Sequence, residues 1–156
     1  MNANVSMTRL VLLVLLGLLA LAPLAQASDA TLEKAMKAYE KRLTNDISYL
    51  SSFSAPSKHA APSTLSKLSR IGSDLAGATK AATRQQASTS SGRKGRTQIL
   101  AALHDATAAK SDAKASATAA RAGKTSTAKR DAKTEQSQIT KAIPLFESGG
   151  KLLKLF

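Results

Sequence analysis

DATLEKAMKAYEKRLTNDISYLSSF, residues 29–53, is the stretch that decides the fold class. Leu32, Met36, Tyr39, Leu43, Ile47, Leu50 and Phe53 recur at steps of three and four, the spacing that puts side chains on one face of an α-helix. Glu33, Lys34, Lys37, Glu40 and Lys41 fall between them and form the opposite, solvated face. Glu33 and Lys37 support the helix as an i,i+4 pair, whereas Lys37 and Lys41 oppose it. Ser28 or Asp29 can cap its start. Its formal charge is zero, so the charge of the chain lies elsewhere.

Working toward the C-terminus, Pro56 and Pro62 bracket a break, because a proline inside a helix costs a hydrogen bond. Ser63 is the expected N-cap of a second helix with Leu65, Leu68, Ile71, Leu75, Ala78 and Ala82 on its buried face. Residues 88–95, Ser-Thr-Ser-Ser-Gly-Arg-Lys-Gly, contain no apolar side chain and read as a mobile surface loop. A third segment opens with Ile99, Leu100 and Leu103 and continues as alanine at helical spacing: Ala106, Ala109, Ala113, Ala117, Ala120. Gly123 is the expected stop, with cations on both sides. The alternatives are one uninterrupted helix through Gly123 to Ala142, or disorder over 106–134. Ile139, Ile143, Phe146, Gly150, Leu153 and Phe156 extend a last pattern across Pro144. Strand signals are almost absent, since valine occurs only before residue 15 and no β-branched run alternates with polar residues. The expectation is all-α: a small antiparallel bundle of three or four helices, about 29–53, 63–87, 97–122 and 126–156, with a kink or break at Pro144. Alanine-rich contacts bury little area, so the core is expected to be thin.

Toward the N-terminus the reading concerns location. Arg9 is the only charge before the apolar run Leu10–Leu24, and Ala25-Gln26-Ala27 offers the small-x-small pattern of a signal-peptidase site. That run is about 15 residues, short of the roughly 20 that span a bilayer. We expect a signal peptide over 1–27, cleavage after Ala27, and a mature domain of residues 28–156; the alternative is an uncleaved anchor. The expected destination is extracellular, periplasmic or cell-wall-associated. With no cysteine in the chain, neither disulfides nor a lipid-modified cleavage site is available.

Composition then narrows the chemistry. Without Arg9, 22 Lys and Arg stand against 10 Asp and Glu, a formal charge of +12. Residues 84–133 carry 11 of those cations (Arg84, Arg93, Lys94, Arg96, Lys110, Lys114, Arg121, Lys124, Lys129, Arg130, Lys133) and three acids (Asp105, Asp112, Asp131). Such a stretch attracts polyanions through counterion release. In composition it resembles the Ala/Lys/Ser/Thr tails of linker-histone-like proteins, a resemblance that carries no motif and implies nucleic-acid binding. No aromatic side chain interleaves the charges, so base stacking has no support. The bland alternative is a solvated face that keeps a weakly packed protein soluble.

Other chemistry finds little. His59 and His104 are the only histidines, too few for a structural zinc set. His104 and Asp105 are sequence neighbours and start about 100° apart on a helix. No Gly-x-Ser-x-Gly turn is present and the acids are scattered. No enzyme activity, cofactor or metal is expected. The expected function is an exported, non-enzymatic protein that contacts an anionic envelope polymer or acidic protein. The candidate residues are Arg93, Lys94, Arg96, Lys110, Lys114, Arg121, Lys124, Lys129, Arg130 and Lys133. The alternatives are nucleic-acid binding by the same cations, or a membrane-surface role for the cationic, apolar tail Lys151–Phe156. Docking of that tail on the core competes with the membrane role.

Overall fold

The computed structural model describes residues 28–155. The expected signal peptide and Phe156 lie outside the described residues. Four helices follow one another: α1 (Asp29–Ser51), α2 (Ala61–Arg84), α3 (Ser90–Arg121) and α4 (Thr125–Leu152). No strand occurs among the described residues. The all-α expectation is met, and the segment after residue 97 is a hairpin rather than one long helix.

Side-chain contacts fix the antiparallel registers. Tyr39 lies against Gly77, Arg42 bonds Asp74, and Arg70 pairs with Asp46, so each step along α1 matches a step back along α2. Arg96 reaches Ala82 and Lys110 lies against Gly72, which sets α2 against α3. Gly95 meets Gly149 and the buried Ser116 donates to the Ala128 carbonyl at 2.7 Å, which sets α3 against α4. The α3–α4 contact is the most extensive, α1 touches the other three helices, and α2 and α4 do not touch. The bundle is therefore rhombic in section, with α1 and α3 across the short diagonal.

The core follows the spacing in the sequence. Leu32, Met36, Leu43, Ile47 and Leu50 are buried on α1 and Phe53 just beyond its end, with Tyr39 half-buried beside them. Leu68, Ile71, Leu75, Ala78 and Ala82 meet them from α2. The whole α3 alanine stripe, Ala106, Ala109, Ala113, Ala117 and Ala120, is buried against α4. Small side chains let these two backbones approach. A Cβ on Gly149 would stand 3.0 Å from the Gly95 carbonyl oxygen.

Several boundaries differ from the sequence expectation. α2 starts at Ala61, not Ser63, because Pro62 is tolerated in a first turn, where its missing N–H has no helical partner. Ser63 does not cap; its hydroxyl donates back to the Ala60 carbonyl at 2.9 Å. α2 also ends earlier, at Arg84, and α1 ends at Ser51. The expected mobile loop over 88–95 is largely the first turns of α3. Thr89 caps it, its hydroxyl accepting from Gly92 N–H at 3.0 Å, and the Asp29 carboxylate accepts from the Ser88 N–H, the Thr89 N–H and the Thr89 hydroxyl. These bonds hold the Asp29 carboxyl below its usual range. Gly123 takes φ +74° and turns the chain from α3 into α4. α4 runs unbroken through Pro144, so of the expected kink or break there is no break. Pro144 and Thr140, whose carbonyl loses its partner, both face solvent, where water can replace the bond. After α4, Leu153 and Leu155 tuck into the core, as docking of the tail requires.

Candidate functional site

The bundle separates the ten candidate cations instead of presenting them as one surface. α3 has 32 residues and is therefore about 48 Å long. Arg93, Lys94 and Arg96 lie at its start and Arg121 at its end. Arg96 is a structural residue: its guanidinium donates to the Ala82 and Thr83 carbonyls at 2.8 and 3.0 Å, closing the last turn of α2. Arg93 donates to the Ser88 carbonyl. The expected pliable loop of Arg93, Lys94 and Arg96 is thus a tied helix start beside Asp29. Half-buried Lys110 lies midway along α3 with its stem against Gly72.

Lys114, Arg121, Lys124, Lys129 and Arg130 gather at the other end, around the α3–α4 turn, with Lys133 one turn further along α4. The same end receives the connection between α1 and α2, residues 52–60. Ala55, Pro56, Ser57 and Lys58 line a hollow together with Ala120, Gly123, Thr125, Ala128 and Lys129. Ala61, Ala119, Ala120 and Ala128 form a small apolar cluster beneath it.

Folding therefore joins two acid-free stretches of chain. Residues 47–73 and 113–130 contain Lys58, Lys67, Arg70, Lys114, Arg121, Lys124, Lys129 and Arg130 and no Asp or Glu. All eight are exposed. Arg70 pairs with buried Asp46 at 3.7 Å, Arg130 with Asp131 at 3.3 Å, and Lys67 sits 3.8 Å above the Tyr49 ring. Lys58, Lys114, Arg121, Lys124 and Lys129 form no ion pair with a described residue. α2 and α4 both begin at this end without a side-chain cap, while Ser28 and Thr89 cap the helices that begin at the other. We call this end the basic pole. Lys58, Lys67 and Arg70 are absent from the candidates read from the sequence, although the acid-free run 47–73 was there to be counted.

Elsewhere His59 is exposed and far along the chain from His104, which contacts its neighbour Asp105 at 3.3 Å on the surface despite their starting angle. Among the described residues no group of three or more His, Cys, Asp or Glu is placed to hold a metal. None of the described helices is long and apolar enough to cross a membrane. A groove between α1 and α4 has Ile47, Ile143 and Phe146 at its base and Glu40, Glu147 and Lys151 at its rim.

Three acids that the sequence reading passed over are buried: Asp46, Asp74 and Glu135. Burial, and after it the neighbouring Asp74, pushes the Asp46 carboxyl up. Glu135 is pushed up to about 7, chiefly by burial.

Compared with known protein families, with characterised proteins and with solved structures, the chain matches none.

Proposed function

We propose that the chain is an exported, basic, non-enzymatic helical protein of the cell envelope or extracellular space that contacts anionic polymers through its basic pole. The observation that carries this reading is the basic pole itself, where Asp131 pairs with Arg130 and five exposed cations stand without ion-pair partners among the described residues. A net positive field at one molecular end raises the local concentration of a polyanion and steers its approach. Mostly lysine, on flexible stems, the pole senses charge density more than chemical detail. Burial of Leu153 and Leu155 speaks against the membrane reading of the tail, since the side chains that would insert are occupied in the core.

The test compares two variants of matched charge in the mature chain. One neutralises Lys58, Arg121, Lys124 and Lys129 to Gln; the other neutralises Lys80, Arg84, Lys94 and Lys151, which are exposed toward the opposite end. Heparin, duplex DNA and a teichoic-acid-type polymer serve as probes. The pole variant is expected to lose at least tenfold in affinity for each, and the other variant little. Equal losses would overturn the pole as the contact surface, and a lasting preference for DNA at matched charge would favour the nucleic-acid reading. Export is tested separately, by the intact mass of protein collected outside the cytoplasm, with Ser28 as the expected first residue.

A further inference from the structure

Glu135 occupies a core position of α4, in register with Ala128, Ala132, Ile139 and Ala142, and none of it reaches solvent. Its Oε2 accepts a hydrogen bond from the Gln136 amide at 2.9 Å, and its Oε1 has no hydrogen-bond partner. The same Gln136 nitrogen donates to the Leu50 and Phe53 carbonyls at 3.2 and 2.9 Å, at the C-terminal end of α1. One amide therefore ties the buried acid to the point where α1 gives way to the 52–60 connection.

Apart from Gln136, the groups around Glu135 disfavour a charge on it. Asp112 faces it from α3 and is itself raised by burial and by Asp131 of α4. The Leu50 carbonyl of α1 and the Phe53 carbonyl just beyond it compete with it for the Gln136 amide. The Gln136 bond is the one contact that favours the carboxylate. A buried carboxyl is tolerable neutral and costly ionised.

We propose that Glu135 and Gln136 form a proton-controlled latch on the connection between α1 and α2, which carries Lys58 and His59 into the basic pole. With its proton, Glu135 stays in the core and Gln136 holds the end of α1 against α4. Without it, the carboxylate gains by reaching water. Its movement draws Gln136 off the Leu50 and Phe53 carbonyls and frees residues 52–60. The latch stands on these contacts alone; its consequence, tighter polyanion binding at lower pH, rests on the pole reading above.

Amide hydrogen exchange over residues 52–60 of the mature chain tests the latch, in a His59→Asn background so that the segment carries no histidine of its own. A carboxyl with a pKa of about 7 when closed and 4.5 when open predicts that the opening equilibrium rises roughly 30-fold from pH 5.5 to 8.0, after correction for intrinsic exchange. Glu135→Gln is expected to flatten that rise, and Glu135→Met provides the same test without an amide in the core. Gln136→Leu is expected to open the segment at both pH values. A pH dependence that survives in both Glu135 variants, or a rise below twofold in the parent, overturns the latch. Heparin affinity at the same two pH values separates the two ideas. Exchange that responds while binding does not would leave the latch standing and remove the 52–60 segment from the polyanion contact.

Discussion

Glu135 gives the molecule a pH dependence of definite sign. Its pKa is about 7 in the fold and 4.5 in the unfolded chain, so folding takes up a proton between those values. The stability from this group is fully present below pH 4.5 and is lost as pH rises through 7, by roughly 3 kcal/mol in all. Urea unfolding at pH 5 and pH 8 should show most of that difference in the parent and little of it in Glu135→Gln. Asp29 works in the opposite sense. Its pKa is lowered, so its contribution is present above pH 3.8 and is lost as pH falls below that value. Two glycines also separate cleanly. Gly149→Ala would press a Cβ to 3.0 Å from both the Gly95 carbonyl oxygen and Ile99 Cγ1, and should lower stability by about 1–2 kcal/mol after its gain in helix propensity. Gly72→Ala meets only the flexible Lys110 stem at 3.4 Å and should raise stability by about 0.5–1 kcal/mol. Thermal unfolding of the two variants should move the midpoint in opposite directions.

At the scale of the elements, the large side chains and the alanine stripe were legible because their spacing is set by the helix itself. Leu32 through Phe53 and Ala106 through Ala120 went where their periodicity sent them, with Tyr39 alone only half-buried. Glu135 was equally legible and was overlooked: it stands three residues after Ala132 and four before Ile139, on the apolar register. The start of α3 was not legible. Ser90–Gly95 has a loop composition, and what makes it helical is Asp29, which reaches Ser88 and Thr89 from some sixty positions earlier in the chain. Local propensity holds no record of such a partner. The same long-range closure changes the meaning of Arg96, which the sequence offers as a charge and the fold uses as a bridge to two carbonyls of α2. Arg96→Ala should therefore destabilise the bundle by about 1–3 kcal/mol, because it strips the partner from the part-buried Ala82 carbonyl. Arg93→Ala and Lys94→Ala should each stay within about 0.5 kcal/mol as surface changes. Chemical denaturation of the three single variants distinguishes a structural arginine from its solvated neighbours.

For the whole molecule, the direction of each helix decides where charge collects. Counting cations along the chain finds residues 84–133, yet an up-and-down bundle returns to the same end only at alternate connections. The connections at 52–60 and 122–124 share one end; the one at 85–89 faces the other, where Asp29, Glu33 and Glu147 also lie. The pole, despite Asp131, thus keeps five exposed cations without ion pairs to described residues, whereas the opposite end carries more acids beside its cations. This asymmetry has a thermodynamic signature on duplex DNA, for which each neutralised phosphate contributes about −0.9 to the slope of log affinity against log salt. If Lys58, Lys114, Arg121, Lys124 and Lys129 each engage one phosphate, the slope should be about −4.5, and affinity should fall roughly 500-fold between 50 and 200 mM salt. Neutralising Lys58, Arg121, Lys124 and Lys129 should bring the slope to about −1. Neutralising Lys80, Arg84, Lys94 and Lys151 should leave it near the parent value, although the net charge of the protein changes by the same amount. Equal slopes for the two variants would mean that the chain is attracted by its overall charge, and that the pole has no separate part in binding.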